Sequence, residues 1–362
     1  MMKRIISVLL VLLMVFSFTA CHKQNEVAIT IGGIKFTSAM YSYALLSADG
    51  EARTIVDENL AAEKEESEST ETTTEEVDYF AQKIDDKAFE QWVEDRAIEL
   101  LSEWAAYETL CKENNITLSE EAISQADSYA QYYYSYYGAV YSANGIGEET
   151  YKKMMYYDSY VNEYFKFLYG KEGSKAVPEE DVKNSFNSSY RVALILQTDI
   201  SQMDEAAAAD AKAKLEDYQT KLKDGMSVVD AYNEFNGLTE ESAATTGYAP
   251  AKEVKECANV IADPEADESY GVDFWADIKD MAAGENKILD VEQNGSKYVC
   301  LVQIIDSQSE TSFLEEMDSS IRWNLKNEEY TADIATYAKT LSVKKNKYAM
   351  NAFKVKDINY GE

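Results

Sequence analysis

The alternation of apolar and polar side chains predicts a short β-hairpin near the start of the chain, followed by amphipathic helices. Val27–Ile31 alternates apolar and polar residues, Gly32-Gly33 supplies a turn, and residues 34–36 form a second β-run. Thr37 is placed to cap the helix that follows. Between residues 79 and 169, apolar side chains recur at spacings of three and four, which is the period of helices with one buried face.

The pattern changes after residue 190. Residues 191–196 form a continuous apolar run that is typical of a buried strand, and residues 202–224 follow with a helical period. Two more strands are predicted at residues 287–291 and 298–305, joined by a turn at Asn294-Gly295. With the helices between them, these strands predict a compact α+β domain.

Three further segments have distinct local signals. Thr117 and Glu120 have the spacing of a capping box, which predicts a helix start at that point. Residues 50–77 become rich in Glu, Ser and Thr and cannot bury much apolar surface, so a disordered insertion is predicted there. A long helix is predicted after residue 307, and residues 352–355 are predicted as a final β-like segment.

Charge and composition restrict the chemistry. The chain has 66 acidic residues against 34 Lys and Arg, a formal charge of −32, which argues against nucleic acid as a partner. It has one histidine and no metal-ligand spacing, so we expect no metal, no other cofactor and no Ser-His-Asp triad. Paired carboxylates such as Glu120-Glu121 stand at predicted helix starts, where they stabilise the helix dipole.

The N-terminal residues predict the cellular compartment of the protein. Residues 1–20 have a basic start, an apolar run and small residues before Cys21, which together look like a lipoprotein signal peptide. We therefore expect an extracytoplasmic protein that is anchored to the cell membrane by lipid on Cys21. An ordinary signal with a chance cysteine is the alternative. Buried thiols are expected for Cys111, Cys257 and Cys300, and a disulfide between the last two stays open.

The order of these parts resembles the extracytoplasmic foldases of the PrsA and SurA type. The hairpin and helix from Val27 carry one part of the resemblance, and residues 177–186 carry another. The rest is a set of parvulin-like landmarks: Arg191-Val-Ala-Leu-Ile-Leu, Asp224-Gly-Met-Ser-Val, Thr246-Gly-Tyr, Ala283-Gly-Glu and Gly295-Ser-Lys-Tyr-Val. The resemblance implies an α+β fold in which a discontinuous helical chaperone domain contains an inserted parvulin-like domain.

The same resemblance implies a division of the chain. Its segments are a signal peptide at residues 1–20, the N-terminal part of the chaperone domain at 21–188 with the acidic insertion at about 50–77, the parvulin-like domain at 189–308, and the C-terminal part of the chaperone domain at 309–362.

The parvulin-like domain departs from its family at two positions. The family pattern has a histidine in the first strand and another in the last strand. Leu194 and Val299 stand at these positions here, and the single histidine, His22, lies near the N-terminus. The resemblance therefore implies a domain that does not catalyse prolyl isomerisation, and it assigns no catalytic residue.

A foldase needs apolar and aromatic surface that meets many exposed segments weakly. Tyrosine offers a large ring with a hydroxyl group, and methionine offers an adaptable side chain. The substrate-binding residues predicted on this basis are Tyr133, Tyr137, Met154, Tyr157 and Tyr164. The expected partners are unfolded or newly exported polypeptides, together with the membrane through Cys21. The alternative for these residues is the core of a helical bundle.

Two other functions stay open. The first is an active peptidyl-prolyl cis-trans isomerase, which catalysis on an X-Pro peptide would reveal. The second is a lipid-anchored solute-binding or adhesive protein with one tight ligand pocket. The chain lacks the repeated βαβ pattern of a two-lobed solute-binding fold, which argues against the second.

Overall fold

The computed structural model describes residues 25–66, 77–264, 272–293, 295–307 and 311–361. The chain divides into two compact units, the first from Met1–Leu168 and Asn327–Glu362, the second from Tyr169–Lys326. Both combine helices with small antiparallel sheets, so the fold is mixed α+β with a high helical content. The predicted signal peptide and Cys21 lie outside the described residues.

A three-stranded sheet and several helices form the first unit. Strand β1 (Val27–Ile31) pairs antiparallel with β2 (Ile34–Thr37) on one side and with β9 (Val343–Lys345) on the other. The remaining elements are α1 (Ser38–Glu66), β3 (Lys83–Ile84), β4 (Lys87–Ala88), α2 (Phe89–Glu113), α3 (Glu120–Ala143), α4 (Glu148–Tyr169), the last part of α10 (Thr311–Ala338) and α11 (Lys347–Met350).

The structure confirms the N-terminal hairpin and its helix. Gly32 and Gly33 have φ of +57° and +94°, a backbone conformation that glycine adopts without strain. The Thr37 hydroxyl then accepts a hydrogen bond from the Met40 amide at 3.3 Å and caps α1. Ile31 of the sheet is fully buried in the same core as side chains from α1 and α2.

The sequence prediction of a disordered insertion is wrong for residues 50–66, because α1 continues through them. Ala52 and Val56 are buried one turn apart, so the helix keeps an apolar contact beyond residue 50. Residues 67–76 lie outside the described part of the chain.

Two other local predictions are wrong. The cap of α3 is Ser119, whose hydroxyl accepts a hydrogen bond from the Ala122 amide at 3.1 Å, rather than Thr117. Residues 352–355 do not form a strand, and β9 supplies the third strand of the sheet instead. All three side chains of β9 are exposed, so this strand has no apolar alternation that a sequence pattern would reveal.

The C-terminal segment is tied to α1 through a buried carboxylate. The Tyr360 hydroxyl donates a hydrogen bond to Asp49 at 2.5 Å, and Arg53 contacts the same carboxylate oxygen at 2.6 Å. The Arg53 guanidinium lies 4.4 Å from the centre of the Tyr79 ring and 5.1 Å from that of Tyr360. The cation is therefore held between two rings and one fully buried carboxylate.

A second contact ties the same segment to the turn after α3. The Asn144 side chain donates to the Asn359 carbonyl at 2.7 Å and accepts from the Asn359 amide at 2.9 Å. The Asn144 carbonyl accepts a hydrogen bond from Ser42 of α1 at 2.6 Å. The C-terminal residues thus connect α1 with the turn between α3 and α4.

A four-stranded antiparallel sheet forms the centre of the second unit. Its strand order is β6 (Ala258–Ala262), β5 (Tyr190–Asp199), β8 (Ser296–Ile304) and β7 (Asn286–Gln293). The helices of this unit are α5 (Glu179–Ser189), α6 (Glu205–Lys223), α7 (Val228–Asn236), α8 (Glu240–Thr246), α9 (Val272–Ile278) and the first part of α10. The three predicted strands are confirmed, and β6 is an additional strand that the sequence did not indicate.

Both faces of the central sheet are covered. One face packs against α6 and α7 through Leu215, Tyr218 and Ala231, and the other packs against α9 through Trp275 and Ile278. Within this unit Arg322 of α10 is 2% exposed and is paired with Asp318 at 2.9 Å, with Glu179, and with the Val177 carbonyl at 2.7 Å. This arginine fixes α10 to the start of α5.

Removing the Tyr360 hydroxyl tests the anchoring of the C-terminal segment. We expect Tyr360→Phe to lower the free energy of unfolding by about 1–3 kcal/mol, because the buried Asp49 carboxylate loses a hydrogen bond. Urea unfolding followed by circular dichroism measures the change. Tyr348→Phe is the matched control, since Tyr348 is exposed and its loss should change stability by less than about 0.5 kcal/mol. Equal effects of the two variants would contradict the assignment.

Candidate functional site

Helices α3 and α4 form an antiparallel helical hairpin in the first unit. Tyr134 in the second half of α3 packs against Tyr151 at the start of α4, with ring centroids 5.9 Å apart. Earlier in α3, Asp127 pairs with Lys152 at 2.7 Å and accepts a hydrogen bond from Tyr156 at 2.8 Å. The Asp127 pKa is lowered by these hydrogen bonds.

A narrow stripe attaches α3 to the rest of the unit. Ala126 and Ala130 are buried, and Tyr134 continues the same stripe one turn later. A methyl group at Gly138 would lie 2.9 Å from the Tyr134 ring. Glycine in the middle of a helix costs about 1 kcal/mol relative to alanine, and here it leaves room for that ring.

A cluster of buried and half-buried tyrosines packs beside this stripe. The rings of Tyr141 and Tyr151 stack at 4.4 Å, and Tyr43 of α1 contacts both, at 6.2 and 5.8 Å. The Tyr134 hydroxyl donates to the Ile146 carbonyl at 3.2 Å. Burial raises the pKa of Tyr43 and Tyr151 well above the ordinary range. Tyr43 and Tyr151 therefore stay neutral. The cluster as a whole holds α3 and α4 on α1.

Helix α3 presents five exposed tyrosines, which we call the tyrosine face. Their exposed fractions lie between 43% and 67%; they are Tyr129, Tyr132, Tyr133, Tyr136 and Tyr137. Tyr132 contacts Tyr133 and Tyr136, with ring centroids 5.3 and 5.0 Å apart. Exposed aromatic surface of this extent on a single helix is typical of an interaction site.

A groove of about 430 Å³ runs between α3 and α4 beside the tyrosine face, and we call it the α3–α4 groove. Apolar atoms come from Ala122, Ala126 and Met155, and rings come from Tyr129 and Tyr133. The polar lining includes Gln125, Ser159, Asn162 and two carboxylates, Asp158 and Glu163. A volume of this size accommodates several side chains of a polypeptide.

The two carboxylates of the groove have no partner within the described part of the chain. Neither Asp158 nor Glu163 forms an ion pair or a hydrogen bond there, whereas Asp127 on the same helix pair is neutralised by Lys152. The Asp158 side chain reaches solvent, yet partial desolvation by the surrounding walls raises its pKa. The groove is therefore locally negative and apolar at once.

The structure separates the predicted substrate-binding residues into two groups. Tyr133 and Tyr137 belong to the tyrosine face. Met154, Tyr157 and Tyr164 are buried on the inner side of α4 and offer no surface to a polypeptide. Tyr157 stacks on a tryptophan of α2 and donates a hydrogen bond to a glutamate of the same helix at 3.0 Å. Their spacing of three and seven residues marks one face of a helix, which is the signal that they form core.

Three exposed tyrosines and both groove carboxylates escaped the sequence prediction. The sequence pattern does not distinguish Tyr129, Tyr132 and Tyr136 from the other tyrosines, and it does not mark Asp158 and Glu163. Ala126 and Ala130 mark the buried stripe of α3, but Tyr133 and Tyr137 each stand seven residues after one of them on the same helical face. The sequence pattern therefore does not separate the exposed tyrosines of α3 from its buried stripe. Nor does any signal in the sequence indicate which carboxylates lack a partner.

The two residues that the sequence resemblance aligns with the parvulin histidines lie in the core of the second unit. Leu194 of β5 and Val299 of β8 are buried in one apolar cluster with Leu215 and Leu222 of α6. Neither side chain can contact a bound polypeptide unless this core opens. A polar side chain at either position would be buried among apolar neighbours.

The cysteines and the acidic side chains show no reactive arrangement. Cys111, Cys257 and Cys300 are free and buried, and burial raises the pKa of each thiol to about 11. Across the described residues, no group of three or more His, Cys, Asp or Glu side chains could hold a metal ion. In the same part of the chain, no helix has the length and apolar character needed to cross a membrane.

The functional site has to be inferred from this chain's own geometry. No protein-family model matches the chain, and no curated protein sequence matches it. The tyrosine face and the adjoining groove are the features of the first unit that call for a function, because stability alone does not favour five exposed rings on one helix.

Placing a histidine at residue 194 tests the core assignment of the second unit. We expect Leu194→His to lower the free energy of unfolding by about 3 kcal/mol, because an imidazole would be buried there among apolar side chains without a hydrogen-bond partner. Urea unfolding measures the loss. Gln197→His is the control on the same strand, where the side chain is exposed and a change below about 0.5 kcal/mol is expected. A fully stable Leu194→His protein would show that residue 194 has access to water or to a polar pocket.

Proposed function

We propose that this protein is a foldase or chaperone that binds unfolded exported polypeptides through the tyrosine face and the α3–α4 groove. The observation that carries the proposal is the set of five exposed tyrosines within nine residues of α3. Each ring offers a large apolar area together with a hydroxyl group that forms hydrogen bonds with water or with a client backbone. Such a surface binds many sequences weakly.

The tyrosine cluster that packs α3 against the rest of the unit favours the same proposal. Tyr134, Tyr141 and Tyr151 are packed into a cluster with Tyr43, so the helix is held in place before a client arrives. A tyrosine has only two side-chain torsions, and a fixed helix adds little further loss of conformational entropy on binding. The protein can then form weak, reversible contacts with a client without a large loss of conformational entropy in its own binding surface.

The domain arrangement and the membrane anchor are also part of the proposal. A chaperone domain interrupted by a parvulin-like domain is supported by the sequence landmarks and by a second unit, Tyr169–Lys326, that interrupts the first along the chain. We also propose that lipid on Cys21 anchors the protein at the outer side of the cell membrane, a proposal based on the signal-like residues 1–20. The proposed partners are therefore unfolded polypeptides and the membrane.

The parvulin-like unit is proposed to be catalytically silent. Leu194 and Val299 fill the histidine positions of the family pattern with buried apolar side chains, which supports this assignment. An assay on X-Pro tetrapeptides measures it directly, and no acceleration is expected with the full-length chain in mild detergent. Clear acceleration would make the protein a prolyl isomerase that works without these histidines.

The tyrosine face is tested by an aggregation-suppression assay with a chemically unfolded client. We expect Tyr132→Ser combined with Tyr136→Ser to raise the concentration needed for half-maximal suppression by about tenfold, since each ring contact contributes about 0.5–1.5 kcal/mol. Light scattering of the client measures the change, and circular dichroism verifies that the variant is folded.

A matched double variant controls for the general loss of tyrosine. Tyr248 and Tyr348 are 73% and 72% exposed and lie outside the tyrosine face. Tyr248→Ser combined with Tyr348→Ser should leave suppression unchanged. Equal losses in the two double variants would contradict a specific role for the tyrosine face, and a wild-type protein that suppresses no aggregation would contradict the chaperone proposal as a whole.

A further inference from the structure

We propose that the α3–α4 groove selects unfolded segments in which a Lys or Arg side chain stands next to an aromatic or aliphatic one. This inference rests on the proposed function and names the class of client that the same site prefers. It follows from the charge of the groove, its aromatic walls and a comparable arrangement inside the same unit.

The charge of the groove is negative and locally uncompensated. Asp158 and Glu163 are its charged lining residues, and neither pairs with a basic side chain within the described residues. A few residues away, Lys152 is 2.7 Å from Asp127 and compensates that carboxylate. The hairpin therefore provides its own cation for one carboxylate and leaves the two in the groove for an incoming cation.

The walls of the groove suit the rest of a basic side chain. Tyr129 and Tyr133 present rings beside the carboxylates, and Met155 with Ala126 supplies apolar surface. Lys and Arg bury their methylene stems against apolar atoms while the charged end stays near water or a carboxylate. A guanidinium or ammonium group over a tyrosine ring gains a further attraction from the ring electrons. An aromatic or aliphatic neighbour in the client would contact the tyrosine face.

The first unit already holds one cation in this manner. Arg53 contacts the Asp49 carboxylate at 2.6 Å and lies 4.4 Å from the centre of the Tyr79 ring and 5.1 Å from that of Tyr360. The groove offers the same two kinds of partner, a carboxylate and a pair of tyrosines, without the arginine. A basic side chain from a client would complete the arrangement.

Other clients fit the groove less well. An acidic segment would place further carboxylates beside Asp158 and Glu163, which is unfavourable at short range. A purely apolar segment would fill the walls but leave both carboxylates partly desolvated and unpaired. Partial desolvation already raises the pKa of Asp158, and a nearby cation would offset that cost.

The test compares three labelled peptides with the full-length chain in mild detergent. The peptides share one pattern of Phe and Leu and differ only in having Lys, Gln or Glu at the intervening positions. Fluorescence anisotropy at about 150 mM salt, where the Debye length is about 8 Å, limits the contribution of distant charges. The wild-type protein should bind the Lys peptide about tenfold more tightly than the Gln peptide and should bind the Glu peptide most weakly.

Charge-matched variants locate the preference. Asp158→Asn should reduce the Lys-over-Gln preference about threefold, and adding Glu163→Gln should remove most of what is left. Asp127→Asn removes one charge from the same helix pair but not from the groove, and the preference should persist. Asp158→Glu keeps the charge and should restore the preference, which separates an electrostatic role from a structural one.

The outcomes distinguish the inference from the function on which it rests. If no peptide binds, the proposed function fails. If all three peptides bind equally, or if Asp127→Asn lowers the preference as much as Asp158→Asn does, the cation-selective groove is overturned while client binding stands. If Asp158→Asn unfolds the chain, Glu163→Gln alone provides the same comparison, and an unchanged preference in that variant overturns the inference.

Discussion

The packing of tyrosine rings between α1, α3 and α4 is the contact on which the proposed site depends. The Tyr43 ring contacts both Tyr141 and Tyr151, and the Tyr134 ring stacks on Tyr141. Because the cluster lies near the turn between α3 and α4, it holds that end of the hairpin on α1. Further along the hairpin, the buried residues of α3 are alanines, and a groove that Tyr129 and Tyr133 help to line forms between the two helices.

Tyrosines of the first unit thus occupy two kinds of position, packed in the core or exposed on the tyrosine face. In the cluster and along the inner face of α4, packing fixes the rings, and burial raises the pKa of Tyr151 and Tyr157. On the tyrosine face the rings are largely exposed to water, so their apolar area is free to contact another molecule. The same residue type suits both places because it has an apolar ring and a hydroxyl that is satisfied either by a carbonyl or by water. Composition alone cannot separate the two populations.

Local patterns predicted the fold better than they predicted the site. The N-terminal hairpin, which begins with the strand Val27–Ile31, and the three long strands of the second unit can be predicted from the sequence. Alternation and apolar runs are local signals, so they do not depend on distant contacts. Strands β6 and β9 are short and depend on distant partners, so nothing local reveals them. The sorting of Tyr133 from Tyr157 is likewise a matter of which helix face meets the core. Whether the carboxylates of Asp158 and Glu163 have an ion-pair partner depends on where the neighbouring lysines lie in the fold. The sequence alone does not reveal it.

Selectivity in such a groove has to come from nearby charges, not from the net charge of −32. At physiological salt the field of a surface charge decays over about 8 Å, so a bound client senses chiefly the carboxylates that line the groove. Each exposed ion pair contributes about 0–1 kcal/mol, which biases the choice of segment without holding it firmly. A foldase has to release its client once the client buries its own apolar side chains. Two weak ion pairs beside an aromatic surface meet that requirement, because a folded client no longer presents a basic side chain and an aromatic one together in an extended segment.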